Sequence, residues 1–168
     1  PSTYILTVNS RGVSGDTVYA GGRRTHTISY SNGSSSALLS TTPVGPVYWI
    51  NGVQHVLPVT NTLSPIIVGI AANSQNFYTL YQGVPFTAPF KLGGVAINGS
   101  IKYQYNDGLN GLIVSGQDLY AYGSTFDGSN AIYYKNNQPV MFQLPANTAV
   151  AAINGMCISG HDVYACGF

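Results

Sequence analysis

Two cysteines and five aspartates are the residues of this chain whose chemistry could define a site. Cys157 and Cys166 are the only cysteines, and they are a candidate disulfide pair. The aspartates are candidate acid and base groups, which hydrolysis requires in fixed positions. The three histidines are scattered, and no CxxC spacing accompanies them. We therefore expect no metal ion and no cofactor.

The aspartates follow turn signals more closely than they follow an active-site pattern. Asp118 and Asp162 occupy equivalent turn positions in a repeated hairpin, and Asp16 lies at the neighbouring position. Asp107 and Asp127 each precede Gly, which is another turn signature. The sequence contains no GxSxG nucleophile elbow. It therefore predicts a protein that is not an enzyme, with a hydrolase as a distant alternative.

The element that must position these residues is a hairpin that occurs four times. Its copies share a tyrosine, at Tyr19, Tyr78, Tyr120 and Tyr164, with spacings of 59, 42 and 44 residues. Twenty Gly and thirteen Tyr favour strands and tight turns, and the absence of Glu argues against helices. A repeat near 42 residues, built from strands and turns, is the period of a β-propeller blade.

A second hairpin alternates with the first, so that one repeat contains four antiparallel strands. It lies at residues 46–52 and 131–137, with a degenerate copy at 88–94. We predict a single all-β domain, 1–168, of about three and a half propeller blades. The blades are placed at 4–59, 64–106 and 109–145, with a half-blade at 150–168. Residues 23–44 are expected to form a loop, or an excursion with one short strand at 26–30.

The repeats resemble those of bacterial secreted β-propeller proteins, whose motif is of the form VSG-DVYVAGY, then YWKNG, then LP. Residues 159–165, SGHDVYA, and 47–52, VYWING, carry the resemblance best. The resemblance implies a propeller of repeated blades and a secreted or cell-surface location. It implies no catalytic residues.

The repeat also places the two cysteines relative to each other. Pairing Val114 with Ala121 in the third hairpin sets Ile113 opposite Tyr122. Cys157 and Cys166 hold the corresponding positions in the fourth hairpin. Because directly opposed residues can be close enough to bridge, we expect a Cys157–Cys166 disulfide in an oxidising compartment. The alternative is two buried thiols in apolar positions.

Aromatic residues outside the repeated tyrosine have no explanation in the repeat. Rings flanked by Asn, Gln and Ser suit either a protein interface or sugar stacking. These candidates are Trp49, Tyr30, Tyr81, Tyr103, Tyr105 and Tyr133. Two sequons, at Asn32 and Asn98, are candidate glycosylation sites.

Charge and repeat number together predict the kind of partner. The chain has 7% charged residues, a net charge of +1 and no basic run, so neither nucleic acid nor membrane insertion is expected. A half-blade would leave a free strand edge, which promotes pairing with another chain. We therefore expect a secreted structural or adhesive module that assembles with copies of itself, as a closed ring or a filament. The alternatives are a glycan-binding lectin, a propeller hydrolase, or a fragment of a longer propeller.

Overall fold

The computed structural model describes residues 2–31, 36–60, 62–85, 92–146 and 148–168. These residues form fourteen strands, and none of them lies in a helix that could span a membrane. The strands are β1 (Ser2–Ser14), β2 (Thr17–Ser31), β3 (Ser36–Ile50), β4 (Val53–Val56), β5 (Thr62–Ala72), β6 (Phe77–Pro85), β7 (Leu92–Ile97), β8 (Ser100–Tyr105), β9 (Gly108–Ser115), β10 (Asp118–Ser124), β11 (Ala131–Lys135), β12 (Gln138–Met141), β13 (Ile153–Ser159) and β14 (Asp162–Gly167).

The strands form four antiparallel sheets, each a meander in which consecutive strands pair. Sheet 1 contains β1–β4, sheet 2 contains β5–β8, sheet 3 contains β9–β12, and sheet 4 contains only β13 and β14. The predicted all-β class is therefore confirmed, as are antiparallel sheets of up to four strands.

The first hairpin of sheets 1, 3 and 4 closes in a two-residue turn that begins with Gly at positive φ. Gly116, at φ 61°, starts the turn of sheet 3, and Ser115 pairs with Asp118 across it. A glycine suits this position because a Cβ atom disfavours positive φ. The predicted pairing of Val114 with Ala121 is wrong, since Val114 faces Leu119. Asp118 and Leu119 both belong to the paired strand, so the turn contains two residues and every pair shifts by two residues.

The second hairpin of sheet 2 lies elsewhere than the sequence suggested. Its turn is Asn98-Gly99, between β7 and β8, whereas the expected copy was at 88–94. Residues 23–44 also differ from expectation, because the described part of this stretch continues β2 and β3 as one long hairpin. Thr25, Thr27 and Ile28 favour such an extension, because β-branched residues are enriched in strands.

Each first strand carries a bulge residue that the pairing skips at an equivalent position, and β5 has a further irregularity between Leu63 and Ile66. The four bulge residues are Asn9, Val68, Asn110 and Asn154. In sheet 3 the residue facing the bulge is Gly123. A Cβ atom at Gly123 would lie 2.1 Å from the carbonyl oxygen of Gly108. A side chain has no room there, and the bulge thus fixes where each first strand bends.

The two faces of each sheet pack against different neighbours. We name the tyrosine face for the repeated tyrosine that it carries, and the other side the reverse face. In sheet 2 Tyr78 and Leu80 lie on the tyrosine face and pack with Leu112 and Leu119 of sheet 3. On its reverse face Phe77 stacks on Tyr19 of sheet 1, with ring centroids 5.4 Å apart. The tyrosine face of one sheet therefore packs on the reverse face of the next.

Three hydrophobic cores result from this packing, one between each pair of consecutive sheets. Ile67, Ile70 and Tyr81 contribute to the first core, which also contains residues of sheet 1. The second core, between sheets 2 and 3, contains Leu109, and the third contains Ile153. Leu119 and Tyr120 point to opposite faces of sheet 3 and are both buried, as their alternation along one strand predicts.

Candidate functional site

Cys157 and Cys166 lie on the tyrosine face of sheet 4 as two exposed, free thiols. Cys157 pairs with Tyr164 and Cys166 pairs with Gly155, so the two cysteines are diagonal neighbours across the hairpin. Diagonal neighbours are about 7–8 Å apart, whereas a disulfide needs Cβ atoms about 3.5–4.5 Å apart. The expected disulfide is therefore wrong. The cause is the two-residue shift in strand register that also separates Val114 from Ala121.

The native chain is expected to present two reactive thiols per molecule. An exposed cysteine outside a disulfide reacts with a thiol reagent without unfolding. Titration with Ellman's reagent, at a concentration where light scattering shows monomer, should reach two thiols in buffer and should not increase in urea. A native count of zero that rises to two only after reduction would show that the strands shift to form the bond.

Two of the aromatic residues selected from the sequence belong to the hydrophobic core. Tyr81 and Tyr105 are buried, and burial raises the pKa of each phenol above its ordinary value. Tyr105 also packs against the ring of Tyr134, with centroids 4.3 Å apart. Their interpretation as surface residues is thus corrected, because both rings fill space between sheets.

The remaining aromatic candidates are dispersed over sheets 1, 2 and 3, and those whose side chains are described form no common platform. Half-buried Tyr103 packs at the margin of the second core, and Tyr133 packs between Tyr120 and Phe142, with centroids 6.2 and 5.7 Å away. Trp49 is half-buried and pairs with Ala20 on the reverse face of sheet 1. The side chain of Tyr30 lies outside the described residues.

The aspartates of sheet 3 and its turns make structural contacts. Asp118 accepts a hydrogen bond from Asn136 Nδ2 at 2.6 Å and forms an ion pair with Lys135 at 2.9 Å. Asp107 accepts from the backbone N–H of Phe126 at 2.8 Å and from the hydroxyl of Tyr134. Among the described residues no three His, Cys, Asp or Glu side chains are grouped as metal ligands would be.

Asp127 stabilises its turn only while it is ionised. Its carboxylate accepts from the Thr125 hydroxyl at 2.7 Å and from the backbone and hydroxyl of Ser129, which lowers its pKa to about 2. A carboxyl group with a lowered folded-state pKa contributes stability above its unfolded pKa of about 4, and loses it as pH falls through about 2. Urea titrations between these pH values should show a smaller acid loss for Asp127→Asn than for wild type. Identical acid profiles would contradict this role.

Asn98, read from the sequence as a sequon, belongs to a repeated hairpin turn. Its Oδ1 accepts from the backbone N–H of Phe77 at 3.0 Å, and its Nδ2 donates to Asn76 at 2.7 Å. Asn51 and Asn136 accept in the same way from Val18 and Leu119. Glycosylation of Asn98 stays a prediction, and Asn32 lies outside the described residues.

The main candidate site consists of two apolar sheet faces that no other described element covers. One is the reverse face of sheet 1, where Val8, Val13 and Val18 are 58%, 66% and 53% exposed. The other is the tyrosine face of sheet 4, where Tyr164 is 54% exposed beside both cysteines. Such exposure of neighbouring apolar side chains is typical of interaction surfaces.

Sequence reasoning missed the three valines, although the repeat contained the signal. Val8, Val13 and Val18 align with apolar residues of sheet 3, and they are exposed because no described element packs on this face of sheet 1. A groove of about 300 Å³ runs along the exposed end of sheet 4, lined by residues that include Cys157, Tyr164 and Cys166.

Compared with known proteins, the chain matches no family model, no curated protein and no solved structure.

Proposed function

We propose that this chain is a non-enzymatic, propeller-type interaction module that self-associates through the exposed edge of its last sheet. The observation that carries the proposal is sheet 4 itself, which has two strands where each other sheet has four. Among the described strands β14 pairs only with β13, so its other edge is uncovered. Tyr164 in β14 and Phe168 directly after it are exposed. An uncovered strand edge with apolar side chains pairs readily with another chain.

A propeller-type arrangement is supported by the way the first strands follow one another. β5 packs against both β1 and β9, and β9 packs against β13. Asn9 donates from Nδ2 to the Ile67 carbonyl at 3.3 Å, and Asn110 donates to the Ile153 carbonyl at 2.9 Å. Strands that stay adjacent from one sheet to the next suit blades arranged around an axis.

An extracellular role as a structural or adhesive module fits the same features and the resemblance to secreted propeller proteins. Asp107, Asp118 and Asp127 make structural hydrogen bonds within and beside sheet 3, which favours a structural role for them over a hydrolytic one. The aromatic candidates for sugar stacking are either buried or dispersed over three sheets, which favours self-association over a lectin.

Light scattering after size exclusion tests the proposal directly. We expect a species whose mass is a multiple of 17.7 kDa and whose proportion rises with protein concentration. A chain that stays at 17.7 kDa at the highest soluble concentration would contradict self-association. A monomer that nevertheless binds on a glycan array would favour the lectin.

A further inference from the structure

We infer that the tyrosine face of sheet 4 docks on the reverse face of sheet 1 of a second copy, in the way that consecutive sheets pack within one chain. This inference rests on the proposed self-association. It adds a face-to-face contact to the strand edge of β14 and names the two faces that meet. Inside the chain, each of the two exposed faces has a buried equivalent in another sheet. The surface that covers each buried equivalent resembles the other exposed face, so the partner that fits is a second copy.

The tyrosine face of sheet 4 matches the tyrosine face of sheet 2 residue by residue. Tyr164 and Cys166 occupy the register positions of Tyr78 and Leu80, and Gly155 lies opposite Cys166 as Gly69 lies opposite Leu80. In sheet 2 this face is buried against sheet 3, and Tyr78 and Leu80 are in its core. In sheet 4 the same pattern faces solvent.

The reverse face of sheet 1 matches the reverse face of sheet 3, against which sheet 2 packs. Val13 pairs with Val18 as Val114 pairs with Leu119 in sheet 3. Val8 likewise faces Gly22 just before its bulge, as Leu109 faces a glycine in sheet 3. Trp49 adds a half-buried ring to this face of sheet 1.

Polar contacts between the first strands provide a second, independent match. The bulge asparagines Asn9 and Asn110 each donate to a carbonyl of the next sheet, at the residue before its bulge. Asn154 is the bulge residue of sheet 4, and Val8 precedes the bulge of sheet 1. Continuing the pattern places Asn154 Nδ2 against the Val8 carbonyl of the second copy.

The two faces also carry opposite charges. Arg11 pairs with Ala20 on the reverse face of sheet 1, and Asp162 lies on the tyrosine face of sheet 4, two residues before Tyr164. Because different surfaces meet, the contact is heterologous, and it yields a ring if its rotation closes or a filament if it does not.

Crosslinking through the native cysteines tests this contact. Inside the chain Leu112 lies next to Gly69, with its Cγ 3.3 Å from the position of a Cβ atom there. Arg11 holds the position of Leu112, and Gly155 that of Gly69, so Arg11 of one copy should lie next to Cys166 of the other. Arg11→Cys should therefore form an intermolecular disulfide with Cys166 under mild oxidation. Val53→Cys, on the outer strand of sheet 1 and also exposed, is the matched control.

Non-reducing electrophoresis and peptide mass spectrometry should show crosslinked species in Arg11→Cys and only background in Val53→Cys. A second variant, Val18→Asp, should abolish assembly, while Val53→Asp should preserve it. Wild-type oligomers with equal crosslinking in both cysteine variants, or oligomers that persist in Val18→Asp, would overturn this contact but leave self-association standing. A crosslink within one chain would exclude the second copy as occupant. A monomeric wild type would overturn the proposed function together with this inference.

Discussion

Replacing Leu109 with Ala is expected to lower the free energy of unfolding by about 2–5 kcal/mol, whereas Val8→Ala at the equivalent position should change it by less than about 0.5 kcal/mol. Both residues precede the bulge of a first strand and face a glycine of the second strand. Leu109 is fully buried in the core between sheets 2 and 3, and Val8 is mostly exposed. The two truncations should therefore differ in their effect on the free energy of unfolding, because another sheet packs on Leu109 and none of the described sheets packs on Val8.

The cost at Leu109 has two physical sources. Truncation removes three buried carbon atoms from contact with the core, and it leaves a cavity that the rigid sheets on either side fill only in part. Tyr105 and Leu112, both large and buried in the same core, would lose packing around that cavity. Exposed Val8 contributes little apolar burial in the monomer, so its truncation leaves no cavity.

Urea unfolding followed by circular dichroism measures both changes, at a concentration where light scattering shows monomer. Equal m-values are needed, so that a shift in midpoint reports stability alone. Equal losses for the two variants would contradict the assignment of Val8 to an uncovered face. Assembly at higher concentration should be weakened by Val8→Ala, since that residue lies in the inferred contact with a second copy.

The repeated tyrosine was sufficient to predict an all-β chain, because its period and the Gly and Asn turns constrain the backbone locally. Burial of the same tyrosine was not predictable from one hairpin. Tyr78 and Tyr120 are buried and Tyr164 is exposed, although their local sequences are similar. The difference depends on whether another sheet follows in space, which is information that the hairpin itself lacks.

The disulfide was mispredicted because the predicted register leaves two residues after the turn unpaired, Asp162 and Val163, which the structure pairs with Ser159 and Ile158. Gly-Gln-Asp reads equally well as a three-residue turn or as a two-residue turn followed by a strand. The structure pairs Asp118 with Ser115, and Asp162 with Ser159 in the last hairpin. That choice moves Cys166 from opposite Cys157 to opposite Gly155. A pattern with period two fixes faces well, but it fixes register only when the turn is known.

Asn98 shows how one motif can have two readings. Asn-Gly-Ser is a glycosylation sequon, and Asn-Gly is also the strongest signal of a tight hairpin turn. Ile-Asn-Gly occurs at 50–52, 97–99 and 153–155; its Asn-Gly forms a hairpin turn in the first two copies and lies within β13 in the third, so the motif alone does not identify a turn. The missed turn displaced the second hairpin of sheet 2 by several residues.

Substitution of Asn136 with Ala is expected to cost about 2–5 kcal/mol, which is large for an exposed residue. Asn136 has φ of 50°, and its Oδ1 accepts from the Leu119 N–H at 2.9 Å, while its own N–H donates to the Leu119 carbonyl at 2.9 Å. Alanine in the left-handed region costs about 1–2 kcal/mol, and leaving a partly buried N–H without an acceptor costs about 1–3 kcal/mol. Equilibrium unfolding in urea measures the sum.

Glycine separates these two contributions, because it accepts positive φ but has no side-chain acceptor. Asn136→Gly should therefore lose only the hydrogen-bond share, about 1–2 kcal/mol. Asn137→Gly is the matched control, since Asn137 is exposed in the same turn at φ of 70°, and its replacement should be neutral within about 0.5 kcal/mol. If Asn136→Gly were as stable as wild type, the turn would depend on backbone conformation alone. Asn51 and Asn98 make the same contact in sheets 1 and 2, so their glycine variants should show the same share.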